Sequence, residues 1–271
     1  MNTAQNHGGM RTARYACAVG VALLLGACTV TGQGGGSIFA SDAKSQEAEQ
    51  SPAVRALQSS ASEAENARNY ALASNAYANL YERMPNNAQV LVALLRNLRY
   101  GGRAADAVDF VNQRAAHMLS EPGVKFEYAK AQLDAGHKVD ALNTLGEVAA
   151  LMPNNWQVHS ARGIALDSSG RFDEAISAYR SALRLSPNSV VVMNNLAISQ
   201  AMAGKLDAAI KTLEAAAAIN RTNAHVRQNL ALLYAANGES EKAKALAAMD
   251  LGSSDLETNL SFYRRFGGGT K

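Results

Sequence analysis

The sequence has few of the residues from which catalytic and metal centres are usually built. It contains two Cys and five His among 271 residues, and no two His lie at a spacing that would put two metal ligands on one helical face. No Gly-x-Ser-x-Gly elbow is present, and the Gly run at residues 34–36 follows no strand pattern. We therefore expect no catalytic residue, no metal and no cofactor.

Aromatic residues and Pro are also scarce, at 6% of the chain and five residues respectively. Most of the 48% hydrophobic content is Ala and Leu, which favours helices over sheets and predicts an all-α fold. The net charge of +3 falls to 24 − 23 = +1 if Arg11 and Arg14 are removed with a leader. A charge this small leaves no basic surface for nucleic acid.

The N-terminal apolar run is too short to span a bilayer. It extends from Tyr15 to Leu25, whereas a spanning helix needs about 20 residues, so residues 1–27 are predicted to be an export signal. The run ends in Leu-Gly-Ala-Cys, which resembles the lipobox of bacterial lipoproteins. That resemblance implies cleavage before Cys28, lipidation of its thiol, and sorting to the outer membrane because Thr29, not Asp, follows.

The segment after the signal has no apolar period. Residues 28–53 include TGQGGGS and DAKSQEAEQS, a composition typical of a flexible tether. With Cys17 removed and Cys28 acylated, the mature chain would keep no thiol for a disulfide, a metal site or nucleophilic catalysis.

A 34-residue period runs through the rest of the chain. The tetrapeptide MPNN starts at Met84 and again at Met152, which are two intervals of 34 apart. Counted from Val54, the period gives six windows without insertion: 54–87, 88–121, 122–155, 156–189, 190–223 and 224–257. The fifteenth place holds Arg68, Gly102, Gly136, Gly170, Gly204 and Gly238, and the twentieth holds Ala in every window.

Each recurring residue has a physical role in a helix pair. Gly can adopt the left-handed conformation that ends a first helix, and Ala permits a second helix to cross closely. Pro at the thirty-second place, as in Pro85, Pro153 and Pro187, ends the second helix. The windows resemble the tetratricopeptide repeat (TPR), which implies a superhelical solenoid of about six helix-turn-helix units. Residues 254–271 are expected to form a capping helix and a Gly-rich tail, although Phe262, Tyr263 and Phe266 could instead dock a partner.

In the TPR family the first helix of each unit lines a concave groove. The positions that line the groove in this family imply a mainly basic, mixed half with the cations Arg55, Arg96, Arg99 and Lys130. The same half also includes Glu65, Phe126 and Glu127. The groove positions also imply a peptide-binding half formed by Asn194, Asn195, Ile198, Met202, His225, Gln228, Asn229 and Leu232. Asn195 and Asn229 are 34 residues apart and are expected to stack as a ladder, which could contact a peptide or only satisfy neighbouring backbone groups. Arg162 takes a usually apolar place, either for function or as a side chain extended to solvent.

Residues 225–266 resemble the C-terminal part of TadD proteins, the TPR lipoproteins of tight-adherence (Flp) pilus systems. The segments HVRQNLA from His225 and NLSFY from Asn259 carry most of the likeness. The resemblance implies a non-catalytic, pilotin-like factor on the periplasmic face of the outer membrane that binds the pilus secretin or another assembly subunit. One alternative is an adaptor for another envelope machine, such as another type IV pilus, β-barrel assembly or cell-wall enzymes. The other is a carbohydrate-binding or wall-modifying protein. No small-molecule substrate is expected.

Overall fold

The computed structural model describes residues 51–250, and within that range every regular element is helical. The all-α prediction is therefore confirmed. The expected signal, lipidation site, most of the tether and the C-terminal cap lie outside the described residues. The helices, numbered in chain order, are α1 (Pro52–Asn66), α2 (Tyr70–Arg83), α3 (Ala88–Tyr100), α4 (Ala104–Phe110), α5 (Pro122–Asp134), α6 (Lys138–Leu151), α7 (Trp156–Ser168), α8 (Phe172–Leu185), α9 (Val190–Met202), α10 (Leu206–Ile219), α11 (Ala224–Ala236) and α12 (Ser240–Ala247).

The helices form six antiparallel pairs that repeat with the 34-residue period, and α1 begins two residues before the first predicted window. Every first helix ends where the residue at the fifteenth place adopts a positive φ, from 56° at Arg68 to 86° at Gly136. At Gly170 the amide donates to the Asp167 carbonyl and the next amide donates to the Leu166 carbonyl. These two bonds satisfy carbonyls that a helix end leaves unpaired, so the glycine stops α7 and turns the chain.

Arg68 is the one non-glycine residue at this place, and its φ is 56°. A left-handed conformation costs an ordinary L-residue about 1–2 kcal/mol, of which about 0.5–1 kcal/mol is offset because Gly loses more entropy on folding. We therefore expect Arg68→Gly to raise the free energy of unfolding by about 0.5–1 kcal/mol. The measurement is the urea midpoint at unchanged denaturant slope.

The converse substitution provides the control for Arg68. A Cβ added at Gly170 would meet no atom within 4 Å, so only the backbone conformation opposes Gly170→Ala. That variant should lose about 1 kcal/mol. If Arg68→Gly left the midpoint unchanged while Gly170→Ala lowered it, the side chain of Arg68 would have to supply compensating contacts.

The alanines at the twentieth place lie where the two helices of each pair cross. All six are fully buried: Ala73, Ala107, Ala141, Ala175, Ala209 and Ala243. The hydrophobic core is a series of clusters, each shared by neighbouring pairs. Each unit is therefore stabilised mainly by its neighbours, as expected of a solenoid.

The asparagines of the joints between pairs cap the helices that follow. The Oδ1 atom of Asn87 accepts a hydrogen bond from the amide of Val90 at 3.0 Å, and that of Asn155 accepts one from Gln157 at 2.9 Å. In both copies of MPNN the cap is the second asparagine, not the one beside Pro. MPNN thus ends one pair and begins the next.

The second helix of the second pair departs from the regular pattern. After α4 the chain forms a π-helical turn, Val111–Ala115, and a 3₁₀ turn, Ala116–Ser120. The hydroxyl of Tyr81 donates to the carbonyl of Arg114 at 3.5 Å, and the Arg114 guanidinium lies 5.2 Å from the Phe110 ring centroid. This window holds Leu119 in place of Pro, a difference visible in sequence that did not by itself predict the change of helix type.

Candidate functional site

The first helices of the pairs lie on the inner side of the solenoid. Each contacts the first helix of the following pair, as α3 contacts α5, α5 contacts α7, α7 contacts α9 and α9 contacts α11. Contacts between successive second helices are weaker within residues 51–250. The stack therefore curves with its first helices inside, and the candidate site is this inner surface.

The N-terminal half of the inner surface is a network of ion pairs. Arg96 lies 2.7 Å from Glu65, and Arg99 bridges Glu127 at 3.1 Å and Asp134 at 2.9 Å. Lys130 pairs with Glu127 as well, and its ammonium lies 4.5 Å from the Phe126 ring centroid. The three cations Arg96, Arg99 and Lys130 face three carboxylates.

The prediction that this half of the inner surface is mainly basic therefore needs correction. The charges of Arg96, Arg99 and Lys130 are balanced by Glu65, Glu127 and Asp134. Among the predicted cations of this half only the exposed Arg55 adds to the net charge. Burial lowers the pKa of Lys130, and the Glu127 carboxylate opposes part of that shift. These charges hold neighbouring pairs together and leave little field to attract an acidic ligand.

In the C-terminal half, α9 is buried on all sides. All nine residues from Val192 to Gln200 are buried, including three of the predicted site residues: Asn194, Asn195 and Ile198. Asn195 is only 2% exposed, and its Oδ1 has no hydrogen-bond partner. Asn195 therefore offers almost no surface to a peptide.

The expected asparagine ladder has a different register. The Asn229 amide donates to Oδ1 of Asn194 at 2.8 Å, so the pair spans 35 residues and excludes Asn195. Asn195 occupies the place in its repeat that Asn229 occupies in the next one. Because neighbouring first helices are rotated relative to each other, Asn229 faces Asn194 instead. The hydrogen bond joins α9 to α11 directly.

The accessible part of this half is formed by side chains of α11 and the end of α9. His225 and Met202 are exposed, and Gln228, Asn229 and Leu232 are half-buried. None of the five is an Asp, Glu, Lys or Arg, and together they offer an imidazole, two carboxamides and two apolar side chains. This arrangement can pair with an extended backbone and receive uncharged side chains.

A buried polar network joins the fourth and fifth pairs, and sequence analysis did not identify it. Oδ2 of Asp167 accepts a hydrogen bond from the Tyr179 hydroxyl at 2.8 Å, and Oδ1 accepts one from Ser199 at 2.6 Å. Burial raises the pKa of the Asp167 carboxyl, against the opposing effect of these two hydrogen bonds. Every oxygen is used within the fold, so the network is structural. Asp167, Tyr179 and Ser199 occupy three different places in the 34-residue period, so the period did not predict that they meet.

Arg162 is exposed. The pKa of Glu174 in the next helix is lowered mainly by its hydrogen bond with Arg171, and the positive charge of Arg162 adds a smaller contribution. Arg162 therefore extends to solvent from its usually apolar place. In residues 51–250, no group of three metal-ligating side chains comes together. No described helix is long and apolar enough to cross a membrane.

Two sequence segments match the tetratricopeptide repeat family, residues 127–190 and residues 168–220. No curated protein sequence matches the chain. A solved TPR protein from Parabacteroides merdae is similar over 80% of this chain and 88% of its own, with a TM-score of 0.61 and 15% identity.

Two further solved structures have the same architecture. A thermophilic TPR protein from Thermus thermophilus covers 65% of this chain and 97% of its own, with a TM-score of 0.53 and 22% identity. MamA from Desulfovibrio magneticus covers 66% of this chain and 95% of its own, with a TM-score of 0.52 and 15% identity. At these identities the likeness establishes the fold alone.

The fold and its inner surface place this protein in a class of all-helical repeat proteins that act as scaffolds for protein–protein interaction. Within that class the fold is an all-α tetratricopeptide repeat solenoid. This family is generally a non-catalytic interaction module, and no enzymatic relative is indicated.

Proposed function

We propose that this protein is a non-catalytic scaffold of Flp (tight-adherence) pilus biogenesis, anchored through lipidated Cys28 on the periplasmic face of the outer membrane. Its inner surface binds a segment of the pilus secretin or of another assembly subunit. The likeness of residues 225–266 to TadD proteins and the lipobox-like Leu-Gly-Ala-Cys support the assignment. The TPR fold supports the mode of action, since such surfaces bind peptides.

The observation that carries the binding mode is the contrast between the two halves of the inner surface. The N-terminal half has its charges paired within the protein, while the C-terminal half exposes Met202, His225, Gln228 and Leu232 without fixed charge. A ligand segment that is uncharged and carries apolar side chains would gain hydrogen bonds and apolar contact there. An acidic or basic segment would find no counter-charge.

Site-specific photo-crosslinking in the native host tests this proposal. A photoreactive residue at Gln228, on the inner surface, should form an adduct that contains the secretin or another pilus subunit. The matched control is Ser177, which is exposed on the second helix α8 and should give no such adduct. Because Gln228 is half-buried and its side chain makes no hydrogen bond within residues 51–250, the substitution should leave the helices intact.

The identity of the adduct decides between the proposed function and its alternative. A β-barrel assembly component, a subunit of another type IV pilus or a cell-wall enzyme at Gln228 would replace the Flp pilus assignment while keeping the groove. Equal labelling at Gln228 and Ser177, or none at either, would overturn binding through the inner surface.

A further inference from the structure

The antiparallel helices give the solenoid two different edges. Turns within pairs lie at one edge, and the joints between pairs lie at the other. We define the joint edge as the ten-residue segments 150–159, 184–193 and 218–227, which occupy equivalent places in successive repeats. Each segment holds the end of a second helix, the joint and the start of the next first helix.

The joint edge exposes a row of large apolar side chains. Leu151, Leu185 and Ile219 occupy the same place 34 residues apart, and they are 52%, 39% and 47% exposed. Trp156 is half-buried beside the first of them. Together with Met152 and Pro153, Trp156 lines a shallow open concavity of about 450 Å³. A row repeated on three successive units is more than a scattered exposed residue.

The same thirty residues contain no Asp or Glu. Their fixed charges are three arginines, of which Arg227 is paired with Asp250. Arg184 and Arg221 are exposed at the edge. The turns within these pairs differ, because each carries exposed acids beside an exposed cation: Asp134 and Asp140 with Lys138, Asp173 and Glu174 with Arg171, and Asp207 with Lys205.

We infer that the joint edge seats against an anionic lipid surface. Leu and Ile side chains enter the boundary between headgroups and acyl chains, Trp favours that boundary, and Arg is attracted to anionic headgroups. The three segments of the joint edge contain no carboxylate that anionic headgroups would repel. Because the row repeats on three successive joints, it offers several contact points to one extended surface. The inference goes beyond groove binding and does not depend on it.

Seating by this edge would also set the orientation of the scaffold. The solenoid would stand with its helices upright on the bilayer, and the inner surface would open sideways, parallel to the membrane. A partner already embedded in that membrane would then meet the groove without the scaffold tilting.

Trp156 provides a direct probe, because it is the only Trp in the chain. The experiment uses the full chain with Cys28→Ser, so that no attached lipid contributes. The vesicles are of phosphatidylcholine, with or without phosphatidylglycerol, and carry bromine on their acyl chains. We expect Trp156 emission to shift to the blue and to be quenched on the anionic vesicles.

Matched variants separate the joint edge from any other membrane contact. The triple variant Leu151→Ser, Leu185→Ser, Ile219→Ser should lose the quenching. The control Leu72→Ser, Val139→Ser should keep it, because those side chains are 50% and 71% exposed at the opposite edge. Arg184→Gln and Arg221→Gln should each weaken binding to anionic vesicles by roughly fivefold. The arginine variants also serve as the test should the triple variant lose its helical circular dichroism.

Three results would overturn the inference. The first is a chain that co-sediments with vesicles while Trp156 stays unquenched, which would place the contact in the N-terminal segment. The second is equal quenching of the triple variant and the control. The third is a joint edge that labels a protein partner and no lipid, which would make it a protein interface.

Discussion

Replacing Gly163 by Ala should lower the free energy of unfolding by about 2–3 kcal/mol, a large effect for one methyl group. A Cβ at this position would lie 2.5 Å from Cε1 and 2.7 Å from Cζ of Tyr179. Tyr179 is fully buried, and its hydroxyl is fixed by Asp167. The ring therefore has no room to move, and α7 and α8 would have to separate. Urea unfolding followed by circular dichroism measures the loss.

Gly146 provides the matched control within another helix. It lies inside α6, and a Cβ there would meet no atom within 4 Å. Gly146→Ala should therefore raise stability by about 0.5–1 kcal/mol through helix propensity alone. Combining Gly163→Ala with Tyr179→Leu should cost less than the sum of the two, because the second change removes the clash. Strict additivity would contradict the proposed steric cause.

Replacing Glu127 by Gln should destabilise the protein by about 3 kcal/mol. The Glu127 carboxylate is 9% exposed and pairs with both Arg99 and Lys130. Arg99 would retain Asp134, but Lys130 would keep only the ring of Phe126 as a favourable neighbour. Removing one member of a buried ion network leaves an uncompensated charge, which is why the cost exceeds that of a surface pair.

Two comparisons test this explanation of the Glu127 effect. Asp106→Asn breaks a pair with Arg103 in which both side chains are about half exposed, and it should cost less than about 0.5 kcal/mol. Adding Lys130→Met to Glu127→Gln should recover part of the loss, since it removes the unpaired charge. A loss at Glu127 no larger than that at Asp106 would show that solvent screens the network.

The two substitutions act at different places in the solenoid, and their structural consequences differ. Glu127 lies between the second and third pairs, where ion pairs hold the first helices together. Gly163 lies in the fourth pair, where α7 and α8 cross closely. That crossing positions Asp167, whose carboxylate accepts a hydrogen bond from Ser199 in the fifth pair. Because solenoid units are stabilised by their neighbours, either change should loosen adjacent units first.

The features that repeat every 34 residues could be predicted because their causes are local. A residue with positive φ must end each first helix, so Gly recurs and Arg68 stands out. A close crossing must be lined by Ala, and all six alanines are buried. The helical class followed from these positions and from composition. They depend on backbone geometry within one unit, which nearby sequence specifies.

Contacts between units depend on the tertiary structure, because the rotation from one first helix to the next sets which side chains meet. That rotation pairs Asn229 with Asn194 instead of Asn195. It also decides which acid each cation meets, so that Arg96 pairs with Glu65 while Arg99 pairs with Glu127 and Asp134. It also aligns Leu151, Leu185 and Ile219 along one edge. The period fixes the place of each residue along the repeat, while packing between repeats decides its partner.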